Sequence, residues 1–268
     1  MYFVKTTDDV KIAVYDFNPQ WSQTVFLVHG WPLSHKIYEY QIGQLTQLSY
    51  RVVAVDLRGF GNSDTPAFGY SYDQMARDIH CVVSTLQLAD FTLVGFSMGG
   101  AIVLRYMRLY EGAGVKKLVL LSAAAPVWTR RPGYPFGHTL PYVNELISQA
   151  ATDRAQLAHM FCHEQLFAMP QSEAIKNWFQ EIAWSASGIG TVQCAISLRD
   201  EDGRRDLPYV HVPTAIIHGA KDQVVSSDLV NLQHRGIAQS QLFTLKDSGH
   251  GIMYDELEKF NRIFFSVI

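Results

Sequence analysis

The stretch Leu93-Val94-Gly95-Phe96-Ser97-Met98-Gly99-Gly100 joins a short apolar run to a helix-compatible segment through the pattern G-x-S-x-G. A strand that turns sharply into a helix in this way holds the serine hydroxyl above the edge of the sheet. Glycine is needed on both sides, because the strained turn leaves no room for a Cβ beside the serine. The helix N-terminus can direct N–H groups at a bound carbonyl oxygen. The pattern therefore predicts that Ser97 is a nucleophile.

Apolar runs of strand length recur on both sides of this turn. The runs T-V-F-L-V, R-V-V-A-V and K-L-V-L-L occupy Thr24–Val28, Arg51–Val55 and Lys117–Leu121. A helix is predicted over about 72–88, because apolar side chains recur there at helical spacing. Buried strands that alternate with helices predict a parallel sheet with right-handed crossovers, which is an α/β fold.

This alternation stops after Ala125 and resumes further along the chain. Residues 126–205 are rich in proline, aromatic residues and short helical segments, and strands are again predicted at Thr214–Ile217 and Gln241–Leu245. The simplest interpretation is one α/β domain over 1–268, with its core at 1–125 and 206–268. Because ligands bind beyond the carboxyl ends of the strands in such sheets, we expect the insertion at 126–205 to cover the site as a lid.

Composition limits the classes of partner. The chain has 268 residues, 48% of them hydrophobic, and a net charge of -3, which gives nucleic-acid binding no electrostatic support. No signal peptide and no apolar run of about 18–20 residues is recognisable, so a membrane partner is not expected. Three widely spaced cysteines fit a reducing, cytoplasmic location. His159 and Cys162-His163 lack a second pair of ligands, so no metal site is predicted.

A serine hydroxyl needs a general base, and the base needs an orienting partner. His250 follows the Gln241–Leu245 run within D-S-G-H-G, and Asp222 follows the Thr214–Ile217 run within H-G-A-K-D. The alternative position for the acid, after Lys117–Leu121, reads S-A-A-A and holds no carboxylate. We therefore predict a catalytic triad of Ser97, His250 and Asp222.

An oxyanion hole requires two N–H donors near the nucleophile. One is predicted to be the backbone of Met98, directly after Ser97. The loop after Thr24–Val28 reads H-G-W-P-L, and by position Trp31 is predicted to supply the other donor. His29, at the strand end, is interpreted as a brace for this loop rather than as the catalytic base.

Together these motifs resemble the α/β-hydrolase superfamily and, more narrowly, the bacterial cofactor-free haloperoxidase/perhydrolase and arylesterase family. The resemblance spans nearly the whole chain. It rests on H-G-W-P-L at 29–33, D-L-R-G-F-G-N-S at 56–63, G-F-S-M-G-G at 95–100, R-P-G-Y-P at 131–135, T-V-Q-C at 191–194 and H-G-A-K-D-Q-V-V at 218–225. Many members have arginine where this chain has Leu57 and Asn62; both positions are away from the triad.

The resemblance implies a mostly parallel eight-stranded sheet with helices on both faces and a helical lid after the sixth strand. It implies a serine esterase that needs neither metal nor haem, that hydrolyses small aryl and alkyl esters, and that can pass the acyl group to hydrogen peroxide. Proline after the oxyanion tryptophan, here Pro32, is typical of the better perhydrolases. By position, the residues implied to line the substrate pocket are Pro32, Trp128, Leu146, Phe161, Leu198 and Val224.

The predicted reaction is therefore acyl transfer from a small ester to water or peroxide. A lactonase, a thioesterase or a carbon–carbon bond hydrolase would use the same three residues, and so would a ligand sensor with slow turnover. Dehalogenases and epoxide hydrolases are disfavoured because they use aspartate where this chain has Ser97. The sequence leaves open the physiological substrate and whether the chain forms a homo-oligomer.

Overall fold

The computed structural model describes residues 1–268. The strands are β1 (Tyr2–Lys5), β2 (Lys11–Phe17), β3 (Thr24–Val28), β4 (Arg51–Val55), β5 (Phe91–Phe96), β6 (Val115–Leu121), β7 (Thr214–Gly219) and β8 (Ser240–Leu245). The helices are α1 (Glu39–Gln47), α2 (Tyr72–Thr85), α3 (Met98–Leu109), α4 (Leu140–Thr152), α5 (Arg154–Met160), α6 (Glu173–Trp184), α7 (Gly188–Asp200), α8 (Ser227–Gly236), α9 (Ile252–Asp255) and α10 (Leu257–Val267). A π-helical turn, Phe161–Gln165, continues α5.

All eight strands form one sheet in the order β1-β2-β4-β3-β5-β6-β7-β8. The β1 and β2 strands pair antiparallel, β2 pairs antiparallel with β4, and every other pairing is parallel. The predicted mostly parallel, eight-stranded α/β architecture is confirmed, and so is the helical insertion after the sixth strand.

Each central strand contributes to a hydrophobic core on both faces of the sheet. In β3 every residue is buried: Phe26 and Val28 belong to one core, and Val25 and Leu27 belong to the other. Side chains of α2, α3 and α8 pack in the first core, and side chains of α1 and α10 pack in the second. This explains why the strand reads as an unbroken apolar run, since neither face reaches solvent.

The insertion between β6 and β7 carries α4 to α7. Tyr142 and Leu146 of α4, Leu157 of α5 and Leu198 of α7 line the same cavity as Ser97, which follows β5. These helices therefore lie over the carboxyl ends of the parallel strands, where the sequence predicted a lid. None of the helices has both the length and the apolar character needed to cross a bilayer.

A buried ion pair ties the end of the insertion to α3. Arg105 Nε donates to Asp206 Oδ2 at 2.8 Å, and the two side chains are only 6% and 2% exposed. Arg108 Nε donates to the other oxygen of Asp206 at 2.5 Å. Arg105 also pairs with Asp73, which is 46% exposed. Because Asp206 is the buried partner, it carries most of the compensation for the buried guanidinium.

We predict that Asp206→Ala lowers the free energy of unfolding by about 3 kcal/mol, because it leaves Arg105 buried without its main counter-ion. Asp73→Ala removes an exposed partner of the same guanidinium and is expected to cost about 1 kcal/mol or less. Urea unfolding of the two variants and the wild type measures both values. Equal losses in the two variants would contradict the assignment of Asp206 as the main partner.

Candidate active site

Ser97 sits at the junction of β5 and α3 in an unusual backbone conformation. Its φ is 54° and its ψ is -120°, a region that residues other than glycine seldom adopt. The conformation is held by hydrogen bonds on both sides of the residue. The Ser97 N–H donates to Leu121 O at 2.9 Å, and the Ser97 carbonyl accepts from the N–H of Ala124 at 2.9 Å. The end of β6 thus fixes the backbone of Ser97. The Ser97 side chain lines a cavity.

Two glycines let the backbone approach this serine closely. A Cβ on Gly99 would lie 2.4 Å from the carbonyl oxygen of His29, and a Cβ on Gly30 would lie 2.7 Å from Ser97 Cβ. Neither distance is compatible with a side chain. Glycine is therefore required here by space rather than by positive φ, and it allows the loop after β3 to pack against the turn at Ser97.

Asp222 and His250 form a buried hydrogen-bonded pair at the ends of β7 and β8. His250 Nδ1 lies 2.8 Å from Asp222 Oδ2, and both side chains are fully buried. The other carboxylate oxygen, Oδ1, accepts the N–H groups of Val224 and Val225 at 2.8 Å each. The imidazole also packs on Phe96, the residue before Ser97, with ring centroids 4.8 Å apart.

The electrostatics of this pair fix the tautomer of the imidazole. Burial by itself would raise the pKa of Asp222. Interaction with the charge of His250, the hydrogen bond from His250 and the hydrogen bond from the Val225 N–H outweigh burial and hold the pKa below its usual value. The ionised carboxylate therefore accepts a hydrogen bond from Nδ1–H. His250 Nε2 is left as a buried nitrogen with no hydrogen-bond partner. This nitrogen of the pair is therefore free to accept a proton.

The two predicted oxyanion donors are the backbone N–H groups of Trp31, in the loop after β3, and Met98, at the start of α3. The backbone N–H of Trp31 donates no hydrogen bond within the protein. Met98 is the first residue of α3, where an N–H has no helical acceptor. Both donors are thus free to bind an oxyanion. The Trp31 indole Nε1 donates to Thr191 O at 2.9 Å, which fixes the ring against α7.

The cavity above Ser97 is apolar. It encloses about 420 Å³ counted out to its mouth, and nine of its eleven lining residues are hydrophobic. Five of the residues implied by the resemblance line it: Trp128, Leu146, Phe161, Leu198 and Val224. Pro32 does not line it; this residue is buried beside Trp31 in the loop.

Four further lining residues were not singled out from the sequence: Ala124, Tyr142, Leu157 and Gln165. Two of them had a usable signal. Tyr142 precedes Leu146 by four residues, and Leu157 precedes Phe161 by four, so each pair shares a helix face. Ala124 and Gln165 carry no comparable pattern.

Comparison with known proteins agrees with this architecture. A family profile described as alpha/beta hydrolase fold matches residues 23–257. The chain belongs to the alpha/beta hydrolase family. It is 44% identical to the AB hydrolase superfamily protein YisY of Bacillus subtilis (strain 168) over 263 residues, which cover 98% of this chain and 97% of the relative.

Two solved structures are also similar to this alpha/beta hydrolase. An esterase (EaEST) from Exiguobacterium antarcticum is 43% identical, with a TM-score of 0.96 over 99% of this chain and 98% of the other. A bromoperoxidase from Bacillus anthracis is 32% identical, with a TM-score of 0.94 over the same shares of the two chains. The resemblance to haloperoxidases and esterases is thus confirmed, and the protein is an enzyme of this family with esterase relatives.

One carbonyl links the insertion of this alpha/beta hydrolase to the acid of the buried pair. Val224 O accepts from Trp128 Nε1 and from His138 Nε2, both at 2.8 Å. The N–H of the same residue donates to Asp222. The beginning of the insertion therefore packs on the loop that holds the carboxylate, so the cavity wall and the buried pair share one support.

His29 braces the loop, as the sequence suggested, through both ring nitrogens. Its Nε2 accepts the N–H of Leu57 at 2.9 Å, and Nδ1 lies 2.9 Å from Gly30 O, to which it donates. The ring is fully buried, and this burial lowers the pKa of His29 to about 4. The residue therefore stays neutral in the folded protein well below pH 6.

We predict that His29 makes the folded state lose stability as pH falls. Between pH 6.5 and 4 the unfolded chain takes up a proton at His29 and the folded protein does not, so unfolding is favoured. The difference in unfolding free energy between wild type and His29→Gln should fall by about 3 kcal/mol from pH 7 to pH 4, since one pKa unit is about 1.4 kcal/mol. Urea titrations at both pH values measure it. A difference that stays constant over this range would contradict the prediction.

Proposed function

We propose that this alpha/beta hydrolase cleaves small carboxylic esters through an acyl-enzyme on Ser97. The observation that carries the proposal is the His250–Asp222 pair, with its free Nε2 buried beside the strained nucleophile turn. Such a pair supplies the base that a serine hydroxyl needs at neutral pH. The esterase from Exiguobacterium antarcticum, at 43% identity, supports the same assignment.

In the first half of the reaction, Ser97 Oγ attacks the ester carbonyl carbon, and His250 Nε2 takes the hydroxyl proton. The negative charge that develops on the carbonyl oxygen is stabilised by the N–H groups of Trp31 and Met98, which have no other acceptors. Asp222 holds the ring by its Nδ1–H and stabilises the imidazolium. The tetrahedral intermediate collapses when Nε2–H protonates the leaving alkoxide, and the alcohol departs.

In the second half, water enters and is deprotonated by the same nitrogen. Hydroxide attacks the acyl carbon, the two N–H donors again hold the oxyanion, and Ser97 Oγ leaves with the proton from His250. The acid is released and the enzyme returns to its initial state. The apolar wall around Ser97 favours acyl and alcohol groups without charge, because a buried unpaired charge is costly.

We predict that Ser97→Ala lowers kcat for p-nitrophenyl acetate by about 10⁴- to 10⁶-fold, because the acyl-enzyme no longer forms. The fold is expected to persist, as circular dichroism and thermal unfolding would show. Ser84→Ala is the control: it makes the same side-chain change at an exposed position of α2 that does not line the cavity, and it should retain activity. Turnover retained in folded Ser97→Ala would overturn the proposed mechanism.

We further propose that hydrogen peroxide replaces water as an acyl acceptor. Attack of the peroxide oxygen on the acyl carbon, with its proton taken by His250, gives a peracid and regenerates Ser97. The motivating observation is Pro32 directly after the oxyanion tryptophan. Proline restricts the preceding residue to extended backbone angles, so it governs where the Trp31 carbonyl points. The similar bromoperoxidase, at 32% identity, supports this second activity.

We predict that Pro32→Leu lowers the ratio of perhydrolysis to hydrolysis of acetate esters, because the backbone of Trp31 is then no longer restricted and its carbonyl takes other directions. Peracetic acid and acetic acid are quantified in the same reaction at several peroxide concentrations. Pro170→Leu, a change at an exposed loop proline outside the site, is the control and should leave the ratio unchanged. If the ratio is also unchanged in Pro32→Leu, Pro32 is only a turn residue.

A further inference from the structure

A second, more open groove adjoins the cavity above Ser97. It has about 480 Å³ of space, open solvent at its mouth included, between α4 and the segment formed by α5 and its π-helical turn. We call the cavity at Ser97 the inner cavity and this space the outer groove. The two share four lining side chains, which we call the constriction: Tyr142, Leu146, Leu157 and Gln165. The two spaces are thus neighbours separated only by side chains.

The outer groove adds three side chains of its own: Glu145, Gln149 and Met160. Gln149 Nε2 lies 3.6 Å from Met160 Sδ, so α4 and α5 meet across the groove. Tyr142 is 40% exposed, which marks the side where the groove opens to solvent. The groove is therefore open at the surface of the insertion and extends to the constriction.

The four side chains of the constriction make no hydrogen bonds with one another. The Gln165 side chain makes no hydrogen bond within the protein. It is, besides that of Ser97, the one polar side chain of the inner cavity, if tyrosine and tryptophan are counted as hydrophobic. Leu146 is half-buried. Two aliphatic chains, one tyrosine and one unpaired amide are joined by no polar contact that would lock them together. The van der Waals contacts among these four side chains can therefore be exchanged for contacts with an apolar substrate chain.

We propose that the outer groove is a distal subsite for a neutral, apolar chain of the ester substrate, which passes the constriction from the inner cavity. This rests on the proposed ester hydrolysis at Ser97 and assigns its substrate class. Each methylene removed from water strengthens binding about fourfold. Glu145, the one charged side chain lining the groove, disfavours a chain that ends in a carboxylate.

The test compares long and short chains on each side of the ester. The substrates are p-nitrophenyl acetate and octanoate, and ethyl and octyl acetate. Gln149→Trp fills the outer groove and should lower the long-to-short ratio of kcat/KM about tenfold or more in one of the two series, since a few methylenes lose their site. The series that responds identifies the side of the ester that occupies the groove.

Gln156→Trp is the matched control, because it adds the same bulk at an exposed position of α5 that lines neither space; it should leave both ratios unchanged. Leu146→Ala widens the constriction and should raise the ratio that Gln149→Trp lowers. Thermal unfolding verifies that each variant is folded. Unchanged ratios in Gln149→Trp, with acetate hydrolysis intact, would overturn the subsite alone. Absence of Ser97-dependent acetate hydrolysis in the wild type would overturn the proposed function itself.

The charge at the groove is tested with a chain of matched length. If the acyl series responds to Gln149→Trp, p-nitrophenyl octanoate is compared with the p-nitrophenyl monoester of suberic acid; if the alcohol series responds, octyl acetate is compared with 8-acetoxyoctanoate. In each pair a carboxylate replaces the terminal methyl group, and we expect a lower kcat/KM for the carboxylate in the wild type and a smaller difference in Glu145→Gln, in which the repulsion is gone. A carboxylate that reacts as fast as its neutral partner in the wild type would contradict the location of the chain end beside Glu145.

Discussion

The site depends on one steric constraint, the contact of backbone with backbone where the loop after β3 meets the turn after β5. Gly99 packs against the carbonyl of His29, and Gly30 packs against Ser97, at distances that leave no space for a side chain. This contact brings the free N–H of Trp31 next to the turn at Ser97. It also explains why His29 is buried and neutral: its two hydrogen bonds keep the loop pressed into that contact.

The proposed catalysis draws on two parts of the molecule. Strand ends of the sheet hold Ser97, Asp222 and His250, because parallel strands share hydrogen bonds along their length and fix the loops that follow them. The helical insertion contributes the apolar wall, including Trp128 and Phe161. Precise polar geometry thus comes from the most rigid part of the fold, and the shape of the cavity comes from helices packed above it.

The sequence predicted well those features that are encoded locally. Unbroken apolar runs located the buried strands, and the strand ends then located the three candidate catalytic residues. The predicted ends of helices and the edge strands were less accurate. The helix α2 ends at Thr85 rather than near 88, because Gln87 adopts a positive φ of 51° in a C-terminal turn. The sequence does not predict the edge strand β1, because only Val4 of its four residues is buried and the strand has no long apolar run.

The cavity was harder to predict for a physical reason. Side chains of the insertion can face the core, one another or the cavity, and only tertiary packing decides among these. The i to i+4 spacing relates Tyr142 to Leu146 and Leu157 to Phe161, but Gln165 has no such signal and only the packing places it at the cavity. Packing also distributes rigidity within the insertion. Its beginning is held through Val224 O, and its end is held through the Arg105–Asp206 pair. The facing parts of α4 and α5 lie between these two anchors, and there the constriction has no polar contact across it. At this point side-chain packing alone separates the inner cavity from the outer groove.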